Sequence, residues 1–429
     1  MVRQRYWNIW GQVLGTLALL TASPSAMAQT GPTTPNLFSE IGKSEAEIDS
    51  RINRMWSTYF EGDVETERLY FEAGADEGFV VDIHNADVRT EGQSYAMMIA
   101  VQMDRRDVFD RIWRFSYRRM LNKEGPLEGY FCWHYDPWKE ECKSRGPAPD
   151  GEEYFAMALY FADARWGSVS GELDYKAHAD EILREMLHQE EDNGGVVDRV
   201  TNMIDAETNM IVFVPSGANA EYSDPSYHLP AFYELFSRWA LPEDRARWAT
   251  IRDVSRDYLA NIKTRNPDHC LMADYAGFDG EPVRAPFNPD SENFQVDAWR
   301  TIFNWSVDAA WWGVDERQAG LSECLLGFFA DPERGGGISA PGYRSSFKMN
   351  GQPVAGSGYK ASGLVAMNAT GAMATDADWT RAFVEDFWSV EPPTGTYRYY
   401  NGMLYMLATL ALSGDYTVYC PDDDCTGAK

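Results

Sequence analysis

Apolar residues recur at three- and four-residue spacing through much of the chain, as in 95–101, 154–161, 182–187, 232–239, 309–312, 321–329 and 404–412. That period puts them on one face of a helix. Stretches with Gly, Pro, Asp and Asn separate them and read as loops. The pattern predicts helices over 45–60, 91–103, 105–119, 151–165, 174–187 and 225–239. It predicts six more over 243–262, 296–311, 315–330, 360–374, 379–388 and 400–413. About twelve helices can pair into six hairpins and close into an (α/α)6 barrel, an all-α fold. Periodicity does not dictate closure, so an open helical solenoid is the second reading. No fixed-period sequence repeat supports the solenoid.

The amino terminus has a different character. Arg3 and Arg5 precede an apolar run from Val13 to Leu20, and Ala26-Met27-Ala28 fits a small-x-small cleavage site. This is the layout of a secretory signal peptide over 1–28. Residues 29–40, rich in Thr, Pro and Gly, read as a linker, and 41–429 as one domain. The expected location is secreted or periplasmic, with no membrane attachment after cleavage; a retained amino-terminal anchor is the alternative. The protein is expected to act as a monomer.

Charge narrows the partners. With 38 Lys and Arg against 66 Asp and Glu, the net charge is −28, a field that repels nucleic acid and anionic membranes. A neutral polymer such as a polysaccharide is compatible with it. The chain carries 15 Trp, 23 Tyr and 21 Phe. Sugar rings stack on such faces, although many aromatics must also serve the core.

Other chemistries lack their residue patterns. The six His form no HExxH, no G-x-S-x-G elbow is present, and no Walker Lys-Ser/Thr follows Gly335-Gly336-Gly337. No metal or organic cofactor is expected. The six Cys allow 15 pairings. Proximity in sequence favours Cys132–Cys142 and Cys420–Cys425, leaving Cys270–Cys324, which an exported protein can keep.

Three predicted loop-to-helix junctions carry carboxylates: RTEGQSY at 89–95, GPAPDGEEY at 146–154 and DAWR at 297–300. The plain reading is helix capping, and Asp150 with Glu153 has capping-box spacing. The functional reading is a cleft in which loops at one end of a helical scaffold gather acids. Glycoside hydrolysis needs two carboxyl groups across the scissile bond, one protonated and one ionised.

With DPSYHLPAFY at 224–233 and GTYRYYNGMLY at 395–405, these junctions resemble glycoside hydrolase family 8. The motifs keep a consistent order across most of the chain. The resemblance implies an (α/α)6 barrel, an acidic cleft and inversion at the anomeric carbon. Glu91 resembles the family's general acid, Asp297 its base, and Asp150 the acid at the centre of the cleft. Tyr227 resembles the tyrosine that positions water, and Arg300 the residue that orients the base. Trp133 occupies a place suited to stacking a donor-side sugar, and Tyr400 to lining the cleft.

The motifs look most like those of xylan-active members, so the implied substrate is xylan or xylo-oligosaccharide. Stretches 233–236, 275–282 and 350–353 resemble reducing-end xylose-releasing exo-oligoxylanases. Those carry Leu-His in a blocking loop, where this chain has Tyr359-Lys360-Ala361. Lys360 is therefore a candidate contact for the reducing-end sugar. An open-cleft endo-xylanase and a non-catalytic carbohydrate binder are the alternatives.

Overall fold

A computed structural model describes residues 29–338, 342–357 and 360–421. The helices in chain order are α1 (Leu37–Glu40), α2 (Glu45–Trp56), α3 (Thr90–Gln102), α4 (Arg106–Phe115) and α5 (Pro149–Trp166). They continue as α6 (Tyr175–Asp192), α7 (Pro230–Trp239), α8 (Arg245–Arg265) and α9 (Thr301–Trp311). The last are α10 (Arg317–Ala330), α11 (Ser362–Thr370), α12 (Arg381–Trp388) and α13 (Arg398–Ser413).

Two kinds of helix follow from two kinds of pattern. In α3 every residue except Glu91 is buried, and α11 is buried throughout after its first residue. Their middles, 95–101 and 363–367, are apolar on all sides, and such a helix belongs inside. In α6 only a stripe is buried, including Tyr175, His178, Ala179, Ile182, Leu183 and Met186, so it lies outside with one face covered. The inner helices α3, α5, α7, α9, α11 and α13 form a closed ring, with α13 returning to pack on α3. Tyr154 of α5 meets Phe232 of α7 edge-on at 4.9 Å. Outside them, α4 packs on α3, α6 on α5, α8 on α7, α10 on α9, α12 on α11 and α2 on α13. This is an (α/α)6 barrel, and its closure excludes the solenoid.

Small antiparallel sheets decorate the barrel. β1 (Gln29–Thr33) pairs with β7 (Thr417–Cys420), and β2 (Tyr70–Ala73) with β3 (Glu77–Val80). The third sheet has the order β4 (Val88–Arg89), β5 (His134–Asp136), β6 (Glu141–Ser144). It sets the approach to α3, because the Thr90 amide donates to the Trp133 carbonyl at 3.0 Å.

The structure differs from the sequence reading at two places. Residues 29–40 are not a free linker: β1 is paired, and Leu37 and Phe38 are buried, with Phe38 edge-on to Trp388 at 4.9 Å. Their polar, Pro-containing surroundings mask that apolar anchor. The helix expected over 225–239 is broken into a 3-10 turn, Pro225–Tyr227, and α7. Pro230 disfavours helical geometry at Leu229, which lies at φ −117°, ψ 65°, and then serves as the first residue of α7. The break frees Tyr227 from the helix and leaves it at the cleft.

Disulfides join Cys132 to Cys142 and Cys270 to Cys324. Cys425 and the expected signal segment lie outside the described residues. No helix among the described residues is long and apolar enough to cross a membrane.

Candidate active site

The N-terminal ends of all six inner helices meet at one end of the barrel. Glu91 lies in the first turn of α3 and Asp150 in that of α5. Tyr227 precedes α7, Asp297 and Arg300 precede α9, Lys360 precedes α11, and Tyr399 and Tyr400 begin α13. Helix N-termini carry partial positive charge, which favours carboxylates gathered there.

Two glycines beside the acids let these ends approach. A Cβ on Gly92 would lie 2.6 Å from the Tyr399 ring, and one on Gly151 would lie 2.5 Å from the Thr90 side chain. Only a residue without a side chain fits such contacts. Capping is not what the acids do. The cap positions of α3 and α5 are Arg89 and Ala148, and Asp297 makes no capping hydrogen bond. Glu153 instead accepts a hydrogen bond from the Tyr233 hydroxyl.

Arg300 is the hub, with its side chain 4% exposed. Its Nη1 donates to Glu91 Oε2 at 3.1 Å, Asp150 Oδ2 at 2.8 Å and the Tyr95 hydroxyl at 2.7 Å. Its Nη2 donates to Asp297 Oδ1 at 3.3 Å and lies 3.9 Å from Asp224 Oδ2. On its other side Glu91 accepts from the Tyr399 hydroxyl at 3.0 Å. The Tyr227 and Tyr400 rings lie 5.7 and 5.9 Å from the guanidinium. Burial works against the Arg300 charge, but Tyr400, Tyr95, Asp297 and Asp150 outweigh it and hold the group protonated.

One buried cation facing several carboxyls leaves some of them uncompensated. Burial pushes the Glu91 carboxyl up to about 7; Arg300 pulls it back, while Asp150 and Asp297 push further. Burial likewise raises Asp150, against the opposing pull of Arg300. Asp224 and Asp274 are raised well above the usual range by burial and then by the charge of Asp297. Asp297 is the acid most open to solvent around Arg300, 28% exposed against 16% for Glu91, 5% for Asp150 and none for Asp224. A neutral Glu91 beside an accessible Asp297 pairs a proton donor with a proton acceptor.

Two lobes of the cleft meet at these residues, because both are lined by Arg89, Glu91 and Asp297. The larger, about 880 Å³, is also lined by His84, Trp299, Lys360 and Tyr400. The smaller, about 450 Å³, is lined by Trp133, Asp150, Phe213, Tyr227, Phe287 and Arg300. Trp133 lies against His134 at 3.8 Å and under the Arg89 guanidinium at 5.4 Å. The Tyr400 hydroxyl is tied to the Val296 carbonyl at 2.7 Å, which turns its ring along the wall.

The structure thus brings Glu91, Asp150, Asp297 and Arg300 into one network, with Tyr227, Tyr400 and Trp133 on the walls. Lys360 stands apart. Its ammonium is bound to Asp386 Oδ1 at 2.6 Å and to the Ile338 carbonyl at 3.3 Å. Sequence reasoning missed Tyr95, Tyr399, Asp224 and Asp274. Tyr95 falls four residues after Glu91, on the same helix face, and was detectable by that spacing. Asp274, whose Oδ1 accepts from the Ala298 amide at 3.0 Å, carries no motif of its own. Among the described residues no three His, Cys, Asp or Glu are grouped to hold a metal ion.

A closed double ring of helices that opens on an aromatic-walled, carboxylate-lined cleft defines a carbohydrate-cleaving barrel enzyme. The model for glycosyl hydrolases family 8 matches residues 74–414, and the chain belongs to that family. It is 41% identical over 391 residues to the reducing end xylose-releasing exo-oligoxylanase of Halalkalibacterium halodurans, covering 90% of this chain and 95% of the relative. A second relative, the reducing-end xylose-releasing exo-oligoxylanase of Paenibacillus barcinonensis, is 40% identical over 384 residues, covering 90% and 96%. Among solved structures, a family 8 xylobiose complex from Teredinibacter turnerae superposes with a TM-score of 0.84 at 41% identity, covering 91% and 98%.

Proposed function

We propose that this chain is an inverting hydrolase of β-1,4-xylosidic bonds that releases xylose from the reducing end of xylo-oligosaccharides. The observation that carries the chemistry is the bridge through Arg300 between Glu91 and Asp297. The substrate rests on the exo-oligoxylanases that are 38–41% identical over about nine-tenths of the chain.

Glu91, neutral below about pH 7, gives its proton to the glycosidic oxygen as the C1–O bond breaks. Water attacks C1 from the opposite face and Asp297 takes its proton, so a β-linked substrate yields an α-anomer. Tyr227, whose phenol stays neutral because burial raises it, steers that water. Asp150 lines only the smaller lobe of the two, so that lobe holds the glycone and the distorted sugar. Arg300 fixes Asp297 and offsets the charge of the acid cluster. Trp133 stacks a glycone sugar, and the larger lobe, with Tyr400 and Lys360, receives the reducing-end side.

Export as a soluble enzyme after removal of residues 1–28 belongs to the same reading. The two disulfides support it, since such bonds persist in oxidising compartments.

An endo-xylanase reading has one observation in its favour. The lobe on the reducing-end side is the larger, and Lys360 is held by Asp386 at its wall. A product time course on xylohexaose labelled at its reducing end, run beside polymeric xylan, separates the two. Early labelled xylose with little loss of polymer viscosity supports exo action. A spread of mid-length products and a fast viscosity drop replaces it with endo action.

A further inference from the structure

Phe287 is 59% exposed on the wall of the smaller lobe, a costly place for a bare phenyl ring unless something covers it. It is held there rather than left loose. The Asn288 amide donates to the Ala285 carbonyl at 3.1 Å, closing a tight turn with Phe287 inside it. Ser291 pins that turn from behind, accepting from the Ala285 amide at 2.9 Å and donating to the Val283 carbonyl at 2.8 Å.

The ring continues a series that begins at the acid cluster. Tyr227 lies 5.7 Å from the Arg300 guanidinium. Phe213 is 6.1 Å from Tyr227 with an angle of 20° between planes, and Phe287 is 6.0 Å from Phe213 with an angle of 14°. Tyr227 and Phe213 are themselves buried, so the near-parallel series forms a rigid aromatic backing that ends in one exposed ring, Phe287. An exposed flat apolar face of that kind suits the face of one sugar ring. It supplies contact area at little entropic cost, because the ring has few torsions to fix.

We infer that Phe287, backed by Phe213, forms a remote glycone subsite that binds an additional xylose unit of longer chains. This rests on the proposed function and adds to it a residue that sets preference for chain length. Binding energy gained so far from the reacting bond raises kcat/KM for long substrates relative to short ones.

The test is kcat/KM for xylotriose and xylohexaose with the wild type, Phe287→Ala and Phe287→Tyr. The expected result is that Phe287→Ala lowers the xylohexaose-to-xylotriose ratio by about tenfold, the worth of one well-made contact. Phe287→Tyr, which keeps the face, restores the wild-type ratio. An unaltered ratio in Phe287→Ala overturns the subsite, whether both rates fall together or neither does. Wild-type cleavage of xylotriose checks the underlying function on its own. If the wild type cleaves no xylo-oligosaccharide, the proposed function fails and the subsite fails with it.

Discussion

The Arg300 guanidinium and the Asp150 carboxylate form a buried ion pair at 2.8 Å, with both side chains no more than 5% exposed. Asp150 Oδ1 is buried and has no hydrogen-bond partner among the described residues. The pair is thus strong on one side and leaves a buried oxygen unpartnered on the other, in a residue that lines the smaller lobe. Arg300 also serves Glu91 and Asp297, so its planar fork organises three acids at once. A Lys ammonium is a point charge without that fork. Arg300→Lys is expected to lower kcat by about a hundredfold, with a smaller change in KM, because misplaced catalytic groups cost that much. Steady-state kinetics beside a circular dichroism spectrum checks it; wild-type kcat in the folded variant removes Arg300 from the account.

Glu91→Gln and Asp297→Asn separate the acid from the base. Each is expected to reduce turnover of xylo-oligosaccharides by roughly 10²–10⁴-fold, the worth of a positioned proton donor or acceptor. An aryl β-xyloside with an acidic phenol as leaving group needs no proton on departure. It is expected to recover activity in Glu91→Gln and not in Asp297→Asn. Recovery in the reverse order exchanges the two roles.

Glu91 at about 7 predicts the alkaline side of the pH profile. The acid must be protonated to act, so kcat/KM is expected to fall as pH rises through about 7. A profile level to pH 9 contradicts Glu91 as the proton donor.

Stability should follow a related course. Glu91, raised to about 7, and Glu152, which burial raises to about 8, keep their protons in the folded protein above the ordinary value of 4.5. Between those limits the folded state binds more protons than the unfolded chain, so stability decreases as pH rises from about 4.5 to about 8. Glu152 is 1% exposed, accepts from the Phe131 amide at 3.0 Å and lines neither lobe of the cleft. Glu152→Gln is expected to flatten the decline in melting temperature between pH 5 and 8. An unchanged slope in that variant assigns the decline elsewhere.

The disulfide between Cys270 and Cys324 spans a sequence separation of 54. Closing a loop of that length restricts the unfolded chain by about 4 kcal/mol. Replacing both residues with Ser is expected to lower the melting temperature by several degrees without altering kcat. A melting temperature equal to the wild type's contradicts the stabilising role.

What the sequence reveals here depends on whether the signal is local. The inner helices are legible because unbroken apolar runs fill their middles, 95–101 in α3 and 363–367 in α11, and the outer ones because α6 carries a stripe. Glu91, Asp150 and Asp297 are legible because motifs frame them, although the packing that Gly92 and Gly151 permit is not. The break at Pro230 was written in the chain and overridden by the helical period of 232–239. Asp274 and Phe287 were not legible, since their places depend on loops that fold back from far along the chain. The Asp386 partner of Lys360 lies 26 residues away on α12, with no local sign of the pairing.

The most direct test of the account is the anomer first released by the wild-type enzyme, followed by proton NMR in fresh digests of xylohexaose. Two carboxylates with water between them predict that the α-anomer appears first and mutarotates to the β-form. Initial release of the β-anomer would mean a covalent intermediate, and would contradict the roles given to Glu91 and Asp297.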